Sequence, residues 1–310
     1  MSRLNGVLRG IRVLDLSRHF PGPLATMLLA DLGADVLKIE PPGGDELRDM
    51  GPKDSEGRSL CFEAINAGKR TRRMDLRNAE ARKEFLRLVD QADVLVESFR
   101  PGVMVRLGVG YPALRERNPR LIHCSLNGFG YGGSPSAAHD INYLALAGIL
   151  AENRSAYPAS FVPPVADATA ALFGVIAIIG ALHARHQDGK GCEIDLALAD
   201  AVMPLLVFQL AELPMASHDT RSLNAILAGR WACYRTYRTT DGRYVALGAL
   251  EPKFWQAFCR AANRPDWIPQ QHDQSAQARL IAEVERLFAG FSLEAAVDRF
   301  HGGLLLLSSS

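Results

Sequence analysis

The chain has 310 residues, 48% of them apolar and 22% charged, proportions of a folded globular chain rather than a disordered, collagenous or coiled-coil one. Lys plus Arg number 35 against 34 Asp plus Glu, a net charge of +1. That balance excludes the overall basic excess of a nucleic-acid binder, so no nucleic-acid partner is expected. The five cysteines, Cys61, Cys124, Cys192, Cys233 and Cys259, form no CxxC pair. They predict neither a disulfide framework nor a thiolate metal site and suit a reducing cytoplasm.

In chain order, the N-terminal MSRLNGVLRG lacks the apolar core of a signal peptide. Ile11–Ser17 reads as a buried strand and Pro21–Gly33 as a helix, with proline near its start and glycine at its end. Ala34–Glu40 predicts a second strand. Asn66–Arg73, with Lys69, Arg70, Arg72 and Arg73, reads as a basic turn or an anion site. Asn78–Gln91 has helical spacing, with Asn78 as N-cap. Ala92–Ser98 and Arg120–Leu126 predict strands three and four, and Arg100 falls just past the third. Ligands of open α/β sheets bind at that end of a strand.

Ala168–Leu182 is apolar except for Thr169. As a helix it spans about 22 Å, short of a bilayer core, and predicts a helix buried in protein with no membrane insertion. Cys192–Leu198 reads as a further strand and Asp200–Leu213 as a helix. Pro214–Arg230 reads as a linker, and Ala232–Leu250 as a hairpin about Asp241-Gly242. Helices are expected near 252–262, 277–289 and 293–299. Alternation of strand and helix predicts an α/β fold, a Rossmann-like parallel sheet forming a large domain over 1–199, with a smaller α+β domain over 200–310.

Two motifs fail on mechanism. GFGYGG (128–133) fits G-x-G-x-x-G, but the turn-like SPSAAHD follows where a helix should open toward a pyrophosphate. It reads better as a glycine-rich active-site loop. His183 and His186 could share a helix face as metal ligands, but read better as last-turn residues favoured by the helix dipole, so no metal is expected.

Three ionisable residues sit at expected helix starts. His139-Asp140 precedes INYLALAG, Asp167 precedes the long apolar run, and Glu251 precedes Pro252. Capping explains each position. The sharper reading is chemical: free N–H groups and the positive end of a helix dipole keep a carboxylate ionised and an imidazole neutral, and both are competent bases near pH 7.

The segments LDLSRHFPGPLATMLLADLGADVLKIEPPGGD, NAGKRTRRMDLR, ADVLVESFRPGVMVRLGVGY, NPRLIHCSLNGFG and HDINYLALAGIL together resemble, in order, the class III coenzyme A-transferase family. HDINY, Asp167 and GALEPKF resemble its racemase branch, the α-methylacyl-CoA racemases. The resemblance implies an acyl-CoA thioester as substrate, with coenzyme A part of that substrate and no separate cofactor. It implies an interlocked homodimer with the site between the large domain of one chain and the small domain of the other. His139 and Asp167 become the acid/base residues, Glu251 supports the histidine, Arg100, Lys69 and Arg70 contact the phosphates, and Asp140 and Tyr143 belong to the substrate pocket.

Under that resemblance the expected reaction is two-base racemisation of 2-methylacyl-CoA through an enolate, with N–H groups near Ala168 and Thr169 as oxyanion donors. The alternative is coenzyme A transfer with Asp167 as nucleophile, through an aspartyl anhydride. A third reading is a truncated, non-catalytic CoA-binding homologue. The family's C-terminal return to the large domain is expected to be missing after FHGGLLLLSSS, and the leucines 304–307 would be an exposed apolar patch unless docked. Ala168–Ala171 stands where relatives carry glycines.

Overall fold

A computed structural model describes residues 6–134, 136–152, 163–212, 226–300 and 304–307. The chain divides into two compact units, one holding most residues as far as Leu205 and the other running from Leu206.

The first unit begins with β1 (Arg12–Asp15), α1 (Pro21–Asp31), β2 (Asp35–Glu40), α2 (Leu60–Ile65), β3 (Arg70–Arg73) and α3 (Ala79–Val89). It continues with β4 (Val94–Glu97), α4 (Val103–Arg106), α5 (Tyr111–Arg117) and β5 (Ile122–Asn127). Then come α6 (Asp140–Leu146), α7 (Ile149–Glu152), α8 (Val165–Asp188), β6 (Glu193–Ala197) and α9 (Leu198–Ala201). Six strands pair in the order β3-β2-β1-β4-β5-β6, every pair parallel. This is the doubly wound order, and its direction reverses between β1 and β4.

A parallel sheet must be covered on both faces. Val13, Val36, Val94, Val96, Ile122 and Leu126 meet α1 and α8 on one side. Leu14, Leu16, Ile39 and Leu95 meet Phe85, Val89 and Leu114 of α3 and α5 on the other. Asn78 caps α3, its Oδ1 accepting from the N–H groups of Glu80 (2.8 Å) and Ala81 (3.2 Å). Gly22 lets α1 start hard against β1, since a Cβ there would lie 2.1 Å from that of Ser17.

The basic cluster is not a turn. Arg70–Arg73 forms β3 at the sheet edge, in register with Leu37–Glu40. Its alternate residues divide between two ion pairs, Arg70 with Asp35 and Arg72 with Glu84. Lys69 is the opposite of solvated: its side chain is 0% exposed. Its three N–H donors have acceptors in Asp15 Oδ2 (3.2 Å), Pro23 O (2.9 Å) and Asn66 Oδ1 (2.9 Å). Burial would raise the fully enclosed Asp15 carboxyl, but Lys38 and Lys69, with the hydroxyls of Ser17 and Thr26, outweigh it and hold Asp15 below the usual carboxylate range. Burial also lowers Lys69 to about 8, despite the Asp15 charge beside it.

α8 is longer than the apolar run suggested, and only one of its faces is buried. Ala166, Ala170, Ala171, Gly174 and Ile178 pack into the unit, against α1, β5 and α6. Leu172 and Ile176, 53% and 63% exposed, lie on the opposite face. By length and apolarity alone α8 could cross a bilayer; its place is a layer over the sheet. The helix expected over 200–213 is instead three pieces: α9, a 3₁₀ turn at Met203–Leu206 and α10 (Val207–Glu212). Pro204 has no N–H to continue a helical ladder, which accounts for the break.

The second unit holds a hairpin, β7 (Tyr234–Arg238) and β8 (Tyr244–Gly248), about Asp241-Gly242. Behind it lie α11 (Pro252–Ala261), α12 (Gln277–Phe288) and α13 (Leu293–Phe300), closing on Trp255, Phe258, Trp267 and Phe288. The leucines 304–307 are not a loose tail: they form β9, antiparallel to β8. The 214–230 linker lies largely outside the described residues.

Lys69→Met leaves Asp15 buried without its closest cation and is expected to cost about 3–5 kcal/mol. Arg70→Met removes only an exposed pair and should cost about 1 kcal/mol or less. Urea unfolding of both variants, at matched pH, measures the difference.

Candidate active site

The chain leaves every strand of the six-stranded sheet at the same rim, and there the first unit encloses a cavity of about 760 Å³. Leu16 after β1, Glu40 of β2, Met74 after β3, Ser98 after β4, Asn127 of β5 and Leu198 after β6 all line it. This is the crevice beyond the strand ends, at the point where the strand order reverses, that open α/β sheets use for ligands.

Arg100, His139, Tyr143 and Asp167 come together on its wall. Lys69 and Arg70 do not, the first because its donors are consumed inside the unit, the second because it is spent on Asp35 at the sheet edge. Instead the wall offers Arg18 and Arg77 with Arg100. Sequence reasoning missed Arg18, although Arg18-His19 directly follows the first strand as Arg100 follows the third. Its backbone N–H donates to Ser98 Oγ at 2.8 Å, tying the loops after β1 and β4 together. The glycine-rich loop supplies Gly128 and Phe129 to the wall. Gly128 is required there: a Cβ would sit 2.5 Å from the Tyr143 hydroxyl. That hydroxyl donates to Ala138 O at 3.2 Å, and the Tyr143 ring meets Phe129 edge-on at 5.5 Å.

The helix starts are arranged differently from simple capping. His139 is the N-cap of α6, and the Asn142 side chain accepts from its backbone N–H at 3.0 Å. Asp140 is the first residue of α6 and Asp167 the third of α8, so neither is the N-cap of its own helix. Asp140 caps the neighbouring helix: its Oδ1 accepts from the N–H groups of Ala166 (2.6 Å) and Asp167 (3.1 Å).

Two expectations change as a result. At the α8 start the Ala166 and Asp167 N–H groups are taken by Asp140, and the Asp167 carboxyl is not held ionised: burial, and then the Asp140 charge, push it up to about 7. Nor is the Ala168 N–H a spare oxyanion donor, because it already donates to Pro164 O at 2.9 Å. Burial, followed by the Asp167 charge, raises the Tyr143 hydroxyl too.

Glu251 lies in the second unit as the N-cap of α11, with Pro252 opening that helix and no side-chain cap bond made. His186 is in the last turn of α8, and among the described residues no group of three or more His, Cys, Asp or Glu is placed to hold a metal.

A doubly wound parallel sheet with a cavity at its switch point, lined by Arg18, Arg77, Arg100, His139 and Asp167, defines an α/β protein with a ligand site beyond its strand ends. The chain belongs to CoA-transferase family III, whose model matches residues 8–307. It is 34% identical to the succinyl-CoA:mesaconate CoA-transferase of Haloarcula marismortui, over 96% of this chain and 78% of that one. It is 35% identical to the α-methylacyl-CoA racemase of Homo sapiens, over 85% of this chain and 67% of the relative. A crystal structure of a CaiB/BaiF family protein from Brucella suis, 31% identical, aligns with a TM-score of 0.81 over 96% of this chain and 83% of that one.

The Asp167 carboxyl binds its proton more tightly folded than unfolded. Its contribution to stability is therefore full below about pH 4 and is lost as the pH rises through about 7. Asp167→Asn, uncharged throughout, should melt above the wild type at pH 8 and level with it near pH 4. Each kcal/mol is read as about 2–4 °C in thermal scans across that range.

Proposed function

We propose that the chain acts on acyl-CoA thioesters and racemises 2-methylacyl groups by α-proton transfer between two bases. The observation that carries this reading is His139 and Asp167 on the wall of one cavity, with the carboxyl at about 7 and so able both to give and to take a proton near neutral pH. The α-carbon lies between the two groups. One group removes the proton from one face, leaving an enolate, and the other returns a proton to the opposite face. Arg18, Arg77 and Arg100 supply the local positive charge that a nearly neutral chain needs to hold the coenzyme A phosphates. Positioning the thioester is the remaining task of the cavity, and general acid/base help contributes about 10²–10⁴-fold on top of it.

A second reading, coenzyme A transfer, is favoured by the archaeal relative, which is named as a transferase. There Asp167, once ionised, attacks the thioester carbonyl, expels the thiolate of coenzyme A and forms a mixed anhydride. The thiolate attacks the aspartyl carbonyl of that anhydride, releasing the donor carboxylate and leaving an aspartyl-CoA thioester. An acceptor carboxylate attacks this thioester to form a second anhydride, whose acyl carbonyl takes the thiolate to give the new acyl-CoA and free Asp167. The same aspartate serves both reactions, and only the racemase needs His139 as a second base.

Incubation of a panel of 2-methylacyl-CoAs in D2O, with and without free carboxylates, separates them. Racemisation predicts loss of stereochemistry with deuterium entering the α-carbon, no need for an acceptor, and loss of activity in His139→Ala. Product formed only with a carboxylate acceptor, with a hydroxylamine-trappable adduct at Asp167, establishes transfer instead. Loss of stereochemistry without deuterium uptake contradicts the two-base mechanism. Arg100→Glu should weaken every acyl-CoA in the panel alike, read as a uniform rise in KM; a rise confined to particular acyl groups removes Arg100 from the phosphates.

The homodimer belongs to the same proposal. The outward face of α8, with Leu172 and Ile176, and Ile141 and Leu146 of α6 leave apolar surface in solvent that a second copy would cover. Ile176→Asp is expected to turn a dimer into a monomer in analytical ultracentrifugation. A wild-type monomer with full activity refutes the dimer.

A further inference from the structure

The α8 N-terminus and the Asp167 carboxyl have competing claims on the same electrostatic resource. A helix start normally offers several unpaired N–H groups and the positive end of its dipole, which stabilise a nearby anion. The dipole of α8 by itself favours an ionised Asp167 in the first turn, and burial opposes it. The structure instead brings a second carboxylate from another element to those donors. Asp140 Oδ1 accepts from the N–H groups of Ala166 at 2.6 Å and Asp167 at 3.1 Å, and the Ala168 N–H turns back to Pro164 O.

We infer that Asp140 is a positioning residue acting through Asp167: its carboxylate occupies the backbone donors at the start of α8 and brings a second negative charge beside the Asp167 carboxyl. This deepens the acid/base reading of the site and rests on it for its functional meaning. It differs from a role in binding substrate, because the bonds of Asp140 run to protein backbone.

The consequence follows from charge. Two like charges side by side disfavour the ionised form of the one that is more buried. Asp167 can then keep a proton at a pH where an ordinary aspartate has lost it. From α6, His139 and Tyr143 also belong to the cavity that Asp167 lines, and its other charged or titratable groups are Arg18, His19, Glu40, Asp75, Arg77 and Arg100. Burial raises the Asp167 carboxyl first, and the Asp140 charge adds to it, so that the carboxyl can cycle between its two forms near neutral pH. Asp140 also joins the starts of α6 and α8, fixing His139 and Asp167 relative to one another.

Asp140→Asn separates the two effects, because the amide oxygen can still accept from Ala166 and Asp167 but the charge is gone. The test is a direct titration of Asp167 by carbon NMR of carboxyl-labelled aspartate, with the resonance assigned by its absence in Asp167→Asn. The midpoint of Asp167 is expected to fall by roughly one pH unit in Asp140→Asn. It should fall likewise in Asp140→Ser, a second neutral residue that can accept from a helix start, and return toward wild type in Asp140→Glu. An unmoved midpoint in a folded neutral variant overturns the inference. The titration needs no turnover, so a protein that racemises nothing can still pass it, and the failure of the proposed reaction is told apart from the failure of the role of Asp140. If the racemase reading holds, the pH profile of kcat should move with the midpoint while KM stays within about twofold; a large rise in KM alone would place Asp140 on the substrate.

Discussion

An all-parallel sheet delivers every strand end to one rim, and the rest of the molecule follows from what that rim must do. The strands are buried on both faces, so the polar groups at their ends either find partners inside the protein or face a ligand. At β1 and β2 they find partners: Asp15 is tied to Lys69, Thr26 and Ser17, while Lys38 reaches Ser17 O at 2.8 Å and Asp45 at 2.9 Å. Those ties fix the loop carrying Arg18 and the start of α1. Further along the rim, Arg100, His139 and Asp167 turn into the cavity. The same edge is thus divided between structural charge and chemical charge.

The division explains why a cluster of basic residues is a poor guide to an anion site. Lys69 and Arg70 are adjacent in sequence, yet one is sealed beneath α1 and the other is paired at the outermost strand. The demand of Asp15 for a counter-charge, and the place of Arg70 beside Asp35 at the sheet edge, decide this; neither is visible without the partner strands. Arg18 and Arg77 reach the cavity for the opposite reason, since each follows a strand end.

Much of the fold was legible because it depends on local signals. Short apolar runs marked four of the six parallel strands and alternation a fifth, β6; Asn78 marked the start of α3, and Asp241-Gly242 marked the hairpin. His139 and Asp167, the proposed acid/base pair, were legible as residues at helix starts, but their electrostatics were not. Dipole reasoning counts the N–H groups of one helix, and here the decisive acceptor comes from 26 and 27 residues upstream, on another helix. β3 escaped because a run of charged residues carries no apolar signal, and β9 because four leucines were read as an undocked patch; pairing with β2 and β8 makes them strands. Only one face of α8 is buried, a fact that its nearly continuous apolar sequence conceals.

The central claim is that a carboxyl of near-neutral proton affinity exchanges protons with the α-carbon of a bound acyl-CoA. Its most direct test is the initial rate of α-deuterium exchange measured from pD 5 to 9. The account predicts a limb with its midpoint near 7 that vanishes with activity in Asp167→Asn. Exchange that persists in Asp167→Asn, or a rate flat across that range, would contradict it.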